Sequence, residues 1–73
     1  MIMETVSIRD EYIKLGQLLK LAGLAESGAE AKIAITGGKV KLNGEEVIER
    51  GKKIYPGDVV SFCGKDIEVK NKG

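Results

Sequence analysis

The basic residues are where this chain is best equipped to do chemistry, and that chemistry is the holding of anions. Between Lys32 and Lys53 six of them (Lys32, Lys39, Lys41, Arg50, Lys52 and Lys53) stand against three acidic residues, Glu45, Glu46 and Glu49. The first twelve residues lean the other way, with Glu4, Asp10 and Glu11 against Arg9. Formal net charge is only +1, so the basic character is local rather than global. Ammonium and guanidinium groups neutralise phosphates, and the free amides of a helix N-terminus suit the same anion. The competing explanation for scattered lysines is a solvated surface that serves solubility.

Other chemistries are poorly provided for. The 73 residues include no histidine and one cysteine, Cys63, so neither the usual zinc ligand sets nor a disulfide can form within one chain. No metal and no cofactor are expected. There is no evident nucleophile–base pair; Glu45, Glu46 and Glu49 read as a solvated acidic face, so no catalytic residue and no enzyme activity are expected. Nothing approaches the ~20 apolar residues of a membrane span, and no signal-peptide pattern opens the chain. A soluble, cytoplasmic protein with no membrane partner is the simplest inference. With 42% hydrophobic and 32% charged residues, the composition is that of a folded domain. Three aromatics (Tyr12, Tyr55 and Phe62) leave most of the core to aliphatic side chains. Tyr12 and Tyr55 are expected to bury their rings with a wet hydroxyl, base stacking being the alternative. Cys63 reads as a small buried hydrophobe.

The basic residues need elements to position them. Ser27 followed by Glu30 is a capping-box signature, and Gly37-Gly38 marks the end of the helix it opens. Lys39-Val40-Lys41-Leu42 then alternates charged and apolar residues, a strand with one wet face, and Asn43-Gly44 is a hairpin turn. Upstream, Leu15, Leu18, Leu19 and Ala22 have helical spacing, stop at Gly23, and leave Lys14, Gln17 and Lys20 on the opposite side. Leu24 plugs the joint between the two helices. Ile2, Val6 and Ile8 suggest a weak edge strand over Met1 to Ile8, followed by a charged connection from Arg9 to Tyr12. After the turn, Glu45 to Glu49 reads as a short return strand and Arg50-Gly51-Lys52-Lys53 as a mobile basic loop. Tyr55-Pro56-Gly57-Asp58 fits a type II turn. Val59 to Cys63 and Asp66 to Lys70 read as strands joined by a Gly64-Lys65 hairpin loop, with a frayed tail from Asn71 to Gly73. The fold class is α+β: one domain over residues 1–73, two short helices packed as a helix-turn-helix-like pair on a small, mostly antiparallel sheet.

In that order of elements, Leu18-Leu19-Lys20-Leu21-Ala22-Gly23-Leu24, Ser27, Ala31-Lys32-Ile33, Gly38 to Gly44 and Gly57-Asp58-Val59-Val60 together resemble the S-four RNA-binding domain. That family is named for a small-subunit ribosomal protein and is also appended to pseudouridine synthases and some tRNA synthetases. The resemblance covers about residues 14–60 and is closer still to the small stand-alone YbcJ-like proteins. It implies the S-four-like (αL) fold, with RNA held against the two helices and the strand that follows. By position, the contact residues it implies are Lys14, Lys20, Ser27, Lys32, Lys39 and Lys41. Ser27 is a cap first. Gly28 would let a backbone approach closely or would serve tight packing, and Arg50, Lys52 and Lys53 divide between phosphate contact and plain solvation. Many members of the broad family carry arginine where Gly28 stands, and Arg-Leu-Asp where this chain has Lys14-Leu15-Gly16.

Two readings follow. The first is a non-enzymatic, monomeric module that binds structured RNA, ribosomal RNA being the family-level target. The second is a protein-interaction adaptor that keeps the fold with a weakened RNA face, which the missing arginines and the near-neutral charge favour.

Overall fold

The computed structural model describes residues 2–72. Its core forms where the helical leucines meet the apolar face of the sheet. Leu15, Leu18 and Leu19 are fully buried on α1 (Leu15–Leu21), and Ala31 and Ile35 on α2 (Gly28–Thr36). They share one cluster with Val40, Ile54, Val60, Ile67 and Val69 from the strands. Ala34 and Leu42 are partly buried against that cluster, and Leu24 packs there from the helix joint as expected.

Both helices end the same way. Gly23 N–H donates to Lys20 O and Leu24 N–H to Leu19 O; Gly38 N–H donates to Ile35 O and Lys39 N–H to Ala34 O. These are Schellman closures, in which the residue past the cap turns left-handed. At the second, Gly38 (φ +75) takes that turn rather than Gly37, and a Cβ on Gly38 would lie 2.7 Å from Glu46 Oε2. At its start, α2 has the expected cap: Glu30 N–H donates to Ser27 Oγ at 3.2 Å. The reciprocal bond from Ser27 N–H to the Glu30 carboxylate is not among those of the described residues, so half of the capping box forms.

The main sheet runs β1 (Ile2–Ile8), β7 (Lys65–Asn71), β6 (Val59–Phe62), β3 (Val40–Leu42), β4 (Glu45–Glu46). All pairs are antiparallel except β1 with β7, which run parallel from Ile2↔Lys65 to Ile8↔Asn71. The fold class is therefore as expected, α+β with a mostly antiparallel sheet. Asn43 (φ 51) and Gly44 (φ 87) make the predicted hairpin turn. The Tyr55–Asp58 turn is also present, with Asp58 N–H donating to Tyr55 O and positive φ at Gly57.

Several expectations are corrected. The edge strand is not weak, since the stretch expected from Met1 pairs along its whole described length from Ile2; Met1 itself lies outside the described residues. The tail is not frayed at Asn71 and Lys72: Asn71 pairs with Ile8 and Lys72 N–H donates to Ile8 O at 2.7 Å. Gly73 lies outside the described residues. The β6–β7 loop is Cys63-Gly64, one residue earlier than predicted, with φ 54 and 76. That places Cys63 in the turn and exposes it. The return strand is only Glu45–Glu46, and beyond it Val47 N–H still donates to Val40 O of β3 at 3.1 Å. A second, two-stranded sheet was not foreseen: β2 (Ile13–Lys14) pairs antiparallel with β5 (Lys53–Ile54). Asn43 is also more than a turn residue. Its Nδ2 donates to Asp58 Oδ1 (3.1 Å) and its Oδ1 accepts from Val59 N–H (2.9 Å), which ties two turns together.

Candidate functional site

Lys14 is both the last residue of β2 and the N-cap position of α1, with extended backbone (φ −75, ψ 144) and no side-chain cap. The opening amides of α1 have no carbonyl within the helix to bond. They are satisfied from the basic loop: Leu15 N–H donates to Lys52 O and Gly16 N–H to Arg50 O, each at 2.9 Å. Together with the Lys14↔Lys53 pairing, these bonds fix the loop against α1. The expectation of a mobile loop is corrected accordingly, since its backbone is held at both ends.

Docking the loop there builds a cleft of about 350 Å³. Lys14 and Lys20 contribute from one side, Arg50 from the loop and Gly28 from the first turn of α2. Four of the predicted residues are thus brought together from separate stretches of chain. Gly16, Gln17 and Gly51 complete the lining, and no carboxylate is part of it. Sequence reasoning missed these three as site residues. Gln17 had a signal in its three-residue spacing from Lys14 and Lys20; the glycines had none, because their place depends on the loop docking.

Gly28 is exposed, and a Cβ built on it would meet nothing within 4 Å. Tight packing is therefore not the reason for a glycine here. Beside it, Ser27 is exposed with its Oγ committed to the cap. Gly28 brings the start of α2 to the wall of the cleft, and of the first-turn amides there Glu30 N–H is already taken by Ser27 Oγ.

The remaining basic residues go elsewhere. Lys32 is exposed midway along α2, where its carbonyl accepts from Thr36 Oγ1 (2.8 Å). Lys39 follows the far end of that helix, on the order of 12 Å from Gly28 at 1.5 Å per residue. Lys41 is exposed between buried Val40 and half-buried Leu42, so the pleat turns it to the sheet face away from the helices. There it stands opposite Glu46 and Ser61, and Ser61 Oγ donates to Asp66 Oδ1 at 2.7 Å. Lys52 lines a smaller hollow that Glu46 and Glu49 share.

Lys53 belongs near the cleft without lining it. Its Nζ lies 4.9 Å from the centre of the Tyr12 ring, within cation–π range. The Tyr55 ring packs 5.8 Å away at 51°. Tyr12 is half-buried as its ring was expected to be, but Tyr55 is 43% exposed. The register also sets Lys53 directly opposite Lys14, a like-charge pair that disfavours the bare fold. Among the described residues no group of three or more histidine, cysteine or acidic side chains is arranged to hold a metal ion. No helix among them is long and apolar enough to cross a membrane.

Comparison with known proteins matches this architecture. The chain is 44% identical over 68 residues to YbcJ of Escherichia coli (strain K12), covering 92% of this chain and 97% of that one. The solution structure of YbcJ superposes with a TM-score of 0.73 at 42% identity, covering 96% of this chain and 90% of that one. It is described as revealing an αL motif involved in RNA binding. A Bacillus subtilis (strain 168) protein, RlbA, named a probable ribosome maturation protein, is 46% identical over 59 residues, covering 81% of this chain and 83% of that one. Tyrosine–tRNA ligase of Burkholderia lata shares 39% over 61 residues, 84% of this chain but 15% of the enzyme, a match to one domain of it. The S4 domain family model matches residues 6–70, and with these relatives it establishes that the chain belongs to the S4 domain family.

Proposed function

We propose that this chain is a non-enzymatic, monomeric RNA-binding module of the cytoplasm that grips structured RNA by its phosphates. The observation that carries this reading is the cleft where Lys14, Lys20 and Arg50 converge beside the Gly28 end of α2 with no carboxylate in the wall. Three cations in one concavity favour a polyanion, and the open backbone at Gly28 lets a phosphate reach the amides behind it. Lys32 and Lys39 extend the contact along α2, Lys53 adds charge at the cleft's edge, and Lys41 and Lys52 act only at longer range. The RNA-binding description of YbcJ supports the reading, and the name of RlbA supports ribosomal RNA as the target class.

A protein-interaction adaptor is the second reading, favoured by Ile33, which is 72% exposed on α2. The two are separated by titrating folded protein with a structured ribosomal RNA fragment at several salt concentrations. RNA binding through the cleft requires an affinity that falls steeply with salt and drops on Lys14→Ala, because each phosphate contact releases condensed counterions. Absence of binding even at low salt, with pull-down of a protein partner that Ile33→Ser abolishes, would give the adaptor the field.

A further inference from the structure

Next to the cationic cleft lies a second, larger hollow of about 600 Å³, with Gln17 and Lys20 in the wall common to both. Its chemistry is different. Ile8, Ile13 and Leu21 give it apolar surface and Tyr12 an aromatic one, and the acidic side chain lining it is Asp10. Leu21 is 60% exposed although it sits on α1, whose other leucines in the first two turns are fully buried. Core packing therefore does not account for that leucine. In the second hollow Asp10 offsets the shared Lys20, whereas the first has three cations and no carboxylate, so phosphate favours the first. An anion-binding half joined to a half with apolar and aromatic walls and polar edges is the complement of one nucleotide. The phosphate goes to Lys14, Lys20 and Arg50, and the base to Tyr12, Leu21 and Ile13, with Gln17 and Asp10 able to bond its polar edge.

We infer that the second hollow receives the base of an unpaired nucleotide, so that the RNA recognised has a bulge, loop or end at the cleft rather than an uninterrupted duplex. In a paired A-form helix the base faces are stacked and closed to side chains; only an unstacked base presents a face to an aromatic or aliphatic wall. This inference rests on the RNA-binding reading and adds what part of the RNA is held.

The test uses a short RNA hairpin with one unpaired nucleotide in its stem, the fully paired hairpin, and the bulged hairpin made abasic at that nucleotide. Each is titrated with wild-type chain, Leu21→Ala and Lys14→Ala, all checked for folding. A base–side-chain stack predicts that the bulged hairpin binds roughly tenfold more tightly than the other two. Leu21→Ala, at an exposed position that leaves the core intact, should remove most of that preference without changing the salt slope. Lys14→Ala should weaken all three RNAs alike and flatten the slope by about one unit. Equal affinity for the three hairpins, with Lys14→Ala still weakening each, would overturn the nucleotide site and leave RNA binding standing. Failure of every RNA to bind at low salt would overturn the RNA-binding reading, and this inference with it.

Discussion

At the N-terminus of α2, Ser27 and Gly28 do different work although they are neighbours. The Ser27 cap was legible because Ser-x-x-Glu before an apolar run is a local pattern, and the bond it makes is equally local. Ser27→Ala should cost about 0.5–2 kcal/mol in chemical unfolding. Ser27→Asp should keep that stability but put a negative charge beside the cleft, so RNA affinity should fall while the unfolding midpoint holds. What surrounds Gly28 was not legible, since the space around a Cβ depends on chain that arrives from elsewhere. With nothing within 4 Å of a Cβ built there, the backbone leaves room for a side chain to start. Gly28→Arg should tighten RNA binding roughly fivefold, about 1 kcal/mol, by adding a charge-assisted contact. Weaker binding by a folded Gly28→Arg protein would mean instead that the bare backbone touches the RNA. Cys63 failed for a related reason: a one-residue shift of a hairpin loop moves a side chain from strand to turn.

Most elements whose signals are local were read correctly, the β6–β7 loop being displaced by one residue. Helical leucine spacing, glycine stops and the Asn-Gly turn each operate within a few residues, and α1, α2 and the β3–β4 hairpin all form from them. Two-residue strands have no periodicity to read, which is why β2 and β5 were missed. Their pairing nevertheless decides where the basic loop lies, so the cleft as a whole could not be drawn from sequence even though Lys14, Lys20, Gly28 and Arg50 were individually named. Leu19 shows what holds the helices in place. It is fully buried, and its carbonyl also accepts Leu24 N–H (2.9 Å) in the closure of α1. Leu19→Ala should cost about 2–5 kcal/mol, comparable to the whole stability of so small a domain, and thermal melts should show the variant largely unfolded at moderate temperature.

For the molecule as a whole, charge placement matters more than charge total. A net +1 conceals a cleft with three cations in its wall and a sheet face where Lys41 stands among Glu46, Ser61 and Asp66. Sequence position grouped Lys41 with Lys20; the alternation of β3 separates them. Lys20→Ala should therefore reduce RNA affinity and lower the salt slope by about one unit, as measured by titration across a salt series. Lys41→Ala and Lys70→Ala should do much less, because charges beyond a Debye length of about 8 Å are screened at physiological salt. Equal losses at all three positions would reveal diffuse attraction in place of a site.

The parallel pairing of β1 with β7 has a consequence for the order of assembly during synthesis. The strand Ile2–Ile8 leaves the ribosome before the other elements, yet its partner Lys65–Asn71 emerges after all of them, so β1 is without that partner while the helices, β3 and β6 are made. Closing so long a loop is entropically expensive and is deferred until other contacts have formed. That order predicts that β1 is installed after the folding transition state. Val6→Ala should accelerate unfolding with little effect on the refolding rate, whereas Leu18→Ala, in the buried helix face, should slow refolding; stopped-flow kinetics of the two variants would read this order directly.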